Sequence, residues 1–115
     1  MGKPQPMTPK NFWIASIEVG SGLMVRLSGE LDMAGAEEVR RFIDSDLTKE
    51  FQSISFDCHG VTFIDSIGVK ALLHLARRCA ELGVEPQFRM SPRIERVLSA
   101  MGLESLGELA VKLAG

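Results

Sequence analysis

The chain has 115 residues, 45% apolar and 24% charged, with 13 basic side chains against 15 acidic ones and a net charge of −2. That balance suits one soluble globular domain with a single core and leaves no basic surplus for nucleic acid or an anionic membrane. No apolar run approaches the roughly 20 residues of a membrane-spanning helix, and MGKPQPMTPKNF lacks the apolar centre of a signal peptide.

Met1 to Asn11 carries Pro4, Pro6 and Pro9 without periodicity and is expected to form a flexible tail, leaving 12–115 as the domain. Phe12 to Val19 has a strand pattern, with Trp13, Ala15, Ile17 and Val19 on one side. Gly20-Ser21-Gly22 is a turn, and Leu23, Val25 and Leu27 alternate in a second strand ending at Ser28. The two runs predict a hairpin. Gly29-Glu30-Leu31-Asp32 is expected as a loop, with Asp32 capping a helix whose core face is Val39, Phe42, Ile43 and Leu47. Arg40, Arg41 and Asp44 fall outside it. Ser53 to Cys58 is a third strand; Ile54, Phe56 and Cys58 share one side, so one sheet face is expected to be only partly covered.

Gly60 to Gly83 is the stretch around which the rest is organised. A strand end, Val61 to Ile64, leads through Asp65 and Ser66 into a helix from Ile67 to the stop at Gly83. Val69, Leu72, Leu73, Ala76 and Ala80 form its buried face; Lys70, His74, Arg77, Arg78 and Glu81 form the outer one. Val84 to Met90 is a fourth strand, in which Pro86 marks an edge or a start. Ser91-Pro92 is a helix entry, Ile94, Val97, Leu98 and Met101 form the buried stripe, and Gly102 closes it. Leu106, Leu109, Ala110 and Leu113 predict one more short helix. The order β-β-α-β-α-β-α-α implies an α/β domain: a mixed, mostly parallel sheet of about four strands, an N-terminal hairpin and three to four helices.

Asp65 and Ser66 carry the sharpest candidate chemistry. Capping alone is the plainer reading; a phosphoacceptor displayed at a helix mouth is the functional one. A nucleophilic enzyme would need a base and an orienting acid. His74 is two turns away on the outer face, and His59, which could lie near, has no clear orienter. No phosphate-binding glycine loop is present, and Cys58, His59 and Cys79 do not have metal-ligand spacing. No cofactor or metal is expected, and both cysteines read as buried thiols in a cytosolic chain.

Gly29-Glu30-Leu31-Asp32, Val61 through Gly68, and Ser91 through Leu98 with Gly102-Leu103 together resemble the STAS domain family, more narrowly the bacterial anti-sigma factor antagonists. The resemblance runs from about Trp13 to Leu103. It implies a non-enzymatic, cytoplasmic switch. A partner that is both anti-sigma factor and serine kinase phosphorylates Ser66 and then lets go; a phosphatase resets it. Asp32, Asp65, Ser66, Ile67 and Gly68 would form the docking site. Ile67 stands where many relatives have a second Ser or Thr, and Glu104 to Gly115 is short for the fifth strand and last helix of relatives. STAS domains that serve as constitutive subunits of transporters or scaffolds are the alternative within the fold. Oligomeric state is left open.

Overall fold

Trp13, Ala15, Ile17 and Val19 repeat at every second position of the first strand, yet they face solvent, and that fact locates the core on the other side of the sheet. The computed structural model describes residues 11–103; the expected tail, apart from Asn11, and the expected last helix, after Leu103, lie outside them. The elements are β1 (Phe12–Val19), β2 (Gly22–Leu31), α1 (Met33–Asp46), β3 (Ser53–Ile64), α2 (Ser66–Glu81), β4 (Pro86–Met90) and α3 (Pro92–Ala100).

The strands lie in the order β1-β2-β3-β4, with β1 antiparallel to β2 and the other neighbours parallel. Each parallel step needs a crossover, here α1 and then α2. Right-handed crossovers that advance in one direction leave both helices on one face, and α1 packs against α2. Leu23, Val25 and Leu27 of β2 and Ile54, Phe56 and Cys58 of β3 point toward them and are buried. Phe56 stacks on Phe88 of β4 with ring centroids 4.9 Å apart. The opposite face carries Trp13, Ile17, Met24 and Arg26 in the open, as the alternation in β3 leads one to expect.

Both central strands run longer than the sequence pattern suggests. Gly29-Glu30-Leu31 is not a loop but the end of β2, because β3 also continues to Ile64 and pairs with it: Gly29 with Val61, Glu30 with Phe63, Leu31 with Ile64. A register shift falls between Gly29 and Glu30. Gly29 has φ +99° there, and a Cβ would overlap the Asn11 carbonyl, so only glycine passes this point unstrained. The Glu30 N–H donates to that same carbonyl at 2.7 Å.

At the other edge, β4 begins at Pro86, where the missing N–H does least harm; Val84 is buried but precedes the strand. Ser91 caps α3 and Pro92 opens it. Ile94 and Leu98 enter the core, whereas Met101 is 45% exposed, because the helix has already ended at Ala100. Gly102 and Leu103 close α3 by donating to Ser99 and Leu98 oxygens. Arg78 does not project freely either. It is half-buried, and its Nε donates to the Leu47 carbonyl at 2.8 Å, tying α2 to the end of α1. Cys58 and Cys79 are free and buried, and burial pushes both thiols up to about 12.

Candidate functional site

Leu31 and Ile64 are register partners on neighbouring parallel strands, so the residues that follow them, Asp32 and Asp65, emerge side by side at one sheet edge, about 5 Å apart by strand spacing. Each opens a helix in the same way. Asp32 Oδ1 accepts from the Gly35 N–H at 3.1 Å, and Asp65 Oδ1 accepts from the Gly68 N–H at 2.9 Å. Both caps satisfy backbone donors that helix geometry leaves free.

With Asp65 as cap, Ser66 becomes the first helical residue, one position earlier than the apolar pattern predicts. Its side chain is exposed, and its hydroxyl makes no hydrogen bond to another described residue. Ile67 is 39% exposed and lines the same groove as exposed Met33, the residue that follows the Asp32 cap. Gly68 is buried, so it cannot contact a partner directly. A Cβ there would collide with the Leu31 carbonyl oxygen. Its absence lets the α2 N-terminus press against the end of β2 and brings the two capped helices together.

A groove of about 850 Å³ runs between α1 and α2 behind this edge. Met33, Ala36 and Ile43 line it from α1; Ile67, Lys70 and His74 line it from α2. His74, expected on the outer face and turned away from Ser66, lines this groove on the same side of α2 as Ile67 and Lys70. On the α1 wall Arg40 is paired to Glu37 at 2.8 Å and to Asp44 at 3.5 Å. The hydrogen bond to Arg40 holds the Glu37 carboxyl below its ordinary range, and the same bond raises the guanidinium.

His59 lies elsewhere. It stands five residues before Ile64, about 16 Å back along the strand at about 3.3 Å per residue, so it is not a base for Ser66. Its Nδ1 is 2.8 Å from Asp57 Oδ1, and its backbone N–H donates to the same oxygen at 3.0 Å. Those bonds, with Arg26 at 3.7 Å, hold the Asp57 carboxyl below the usual carboxylate range. The sequence contained the signal for this pair, since residues two apart in a strand share a face. Among the described residues no three His, Cys, Asp or Glu side chains converge as metal ligands, and no helix is long and apolar enough to cross a membrane.

The described residues thus form an open α/β sheet in which two capped helix mouths and an exposed serine stand together at the ends of the central strands. The STAS domain model matches residues 14–114, and the chain belongs to that family. The match extends beyond Leu103, where the residue-by-residue resemblance stops. An anti-sigma factor antagonist from Mycobacterium paratuberculosis has 22% identity and a TM-score of 0.64, over 93% of this chain and 97% of that one. The anti-sigma factor antagonist SpoIIAA in its unphosphorylated form has 24% identity and a TM-score of 0.62, over 84% of each chain. The phosphorylated form of SpoIIAA, a Bacillus cell fate determinant, has 24% identity and a TM-score of 0.55, over 80% of this chain and 84% of that one. The murine anion transporter Slc26a9 has 23% identity and a TM-score of 0.61, over 73% of this chain and 14% of the transporter. At these identities the likeness is one of fold.

Proposed function

We propose that the protein is an anti-sigma factor antagonist, a cytoplasmic binding module switched by phosphorylation of Ser66 rather than an enzyme. The observation that carries this reading is the exposed Ser66 hydroxyl, without a hydrogen bond among the described residues, on a helix whose cap is already supplied by Asp65. Unphosphorylated, the edge formed by Asp32, Asp65, Ser66 and Ile67, with Gly68 as its buried support, docks a partner that is both anti-sigma factor and serine kinase, and the sigma factor is released. The Ser66 oxygen then attacks the γ-phosphoryl of ATP bound to that partner. Its proton passes to the kinase and ADP leaves. The new group adds roughly −1.5 to −2 charge beside two carboxylates, so a surface complementary to a hydroxyl is repelled. Each 1.4 kcal/mol or so of that clash weakens the complex about tenfold. A phosphatase reverses the change. SpoIIAA, which shares the fold, exists in both phosphorylated and unphosphorylated forms.

Incubation with the cognate kinase and ATP, followed by mass spectrometry, tests the reading. One phosphate is expected at Ser66 and none in Ser66→Ala; equal labelling of the alanine variant at another residue overturns the assignment. The fold shared with Slc26a9 favours a second reading, a constitutive transporter or scaffold subunit. In that case a pull-down recovers the same partner with wild type and with Ser66→Asp.

A further inference from the structure

Residues four apart on a helix share a face, so Ser66, Lys70 and His74 form one line along α2, and all three are exposed. At about 1.5 Å rise per residue Lys70 lies about 6 Å along the axis from Ser66, His74 about 12 Å and Arg77 more than 16 Å. A flexible lysine one turn away can reach a phosphoryl group on Ser66; His74 and Arg77, further along the helix, cannot. Lys70 has no ion-pair partner among the described residues. On the facing α1, Arg40 is already held by Glu37 and Asp44. Asp32 and Asp65, at the helix mouths, bring negative charge and cannot pair with phosphate.

We propose that Lys70 is the counter-ion of the phosphorylated form, pairing its ammonium with the phosphoryl oxygens on Ser66. The proposal rests on Ser66 being the phosphoacceptor and gives Lys70 a positioning role. The pair offsets the repulsion from Asp65 and Asp32, so α2 keeps its first turn when modified. Lys70 also lines the α1–α2 groove, so the phosphate draws a cation off the groove wall. One modification thereby changes two neighbouring surfaces: the helix mouth becomes negative and the groove less positive.

The test uses the full chain with phosphoserine installed at position 66 during translation, so that no kinase is needed. Phosphorus NMR titration reads the second phosphate pKa, ordinarily near 6. Lys70→Gln should raise it by about 0.2–0.4 unit, the size of a helical i,i+4 ion pair expressed as a pKa change. Lys70→Arg should restore the lower value and His74→Gln should leave it unmoved. Asp32 and Asp65 are common to every variant and cancel. Equal pKa values in the native and Lys70→Gln chains overturn the proposal. Failure of a kinase to label Ser66 overturns only the function proposed above.

Discussion

Ser66 and Ser91 both stand at the mouth of a helix that follows a strand, but only one of them is bound into the fold. Ser91 is itself the cap: its Oγ accepts from the Ile94 N–H at 3.3 Å, and the side chain is half-buried. Ser66 sits one residue further along, behind a cap formed by Asp65, and is exposed. A shift of one position separates a structural hydroxyl from an available one. Both feel the positive end of a helix, so the difference lies in which oxygen the backbone N–H groups have already taken.

The largest effect expected from disturbing this comparison comes from Gly68→Ala. The obstacle is the Leu31 backbone carbonyl, which cannot rotate away as a side chain would. The α2 mouth has to move off β2, at a cost of about 3 kcal/mol, the upper end for overpacking. A denaturant midpoint equal to that of the native chain would mean that α2 does not press on β2. Next in size is an alkaline effect at the far end of the same helix and in the strand beneath it. Cys79 and Cys58 have thiols pushed up to about 12, from an ordinary 9.0. Below pH 9 both folded and unfolded chains keep these protons, so the stability is fully present. Above it the unfolded chain loses them first, and stability falls as pH rises toward 12. Each thiol contributes up to about 1.4 kcal/mol per pH unit. Denaturation at pH 8 and pH 10 checks this; Cys58→Ala with Cys79→Ala should flatten the difference.

Much of this was legible in the sequence because the signals were local. Asp32, Ser91-Pro92 and the Asp65-Ser66 junction are helix entries written in two or three residues, and each is a helix entry in the structure. The partner-dependent features were not legible. Gly29 and Glu30 look like strand breakers, and they extend β2 because β3 reaches Ile64 beside them. Met101 has the spacing of a core residue but follows the end of its helix. His74 and Lys70 share a groove with Met33 and Ile43 because two crossovers of one hand stack α1 beside α2, which no single segment records.

The caps give the sharpest form of the comparison. Ser91→Ala and Asp65→Ala should each cost about 1 kcal/mol, the usual value of an N-cap. Ser66→Ala should change stability by less than about 0.5 kcal/mol, as at an uninvolved surface position. Urea unfolding of the three variants settles the order. If Ser66→Ala proves as costly as Ser91→Ala, the hydroxyl is part of the fold and the distinction between the two serines disappears.

The smallest effect belongs to Asp57, a carboxylate that, like Asp65, accepts a backbone N–H, but on a strand and not at a helix start. Bonds from the His59 backbone and ring hold its pKa below the ordinary range. That stability is present above the usual carboxylate range and is lost as pH falls through the lowered value. The pair is exposed, with Asp57 at 39% and His59 at 58%, so screening limits its worth to less than about 0.5 kcal/mol. Asp57→Asn should therefore slightly flatten the acid limb of the stability curve and leave the proposed kinase labelling of Ser66 unchanged. A loss above about 1 kcal/mol at pH 7 would make the Asp57–His59 pair a structural element comparable to the helix caps. A change in Ser66 labelling would connect the open sheet face to the helix mouth, a coupling that the roughly 16 Å between His59 and Ile64 along β3 argues against.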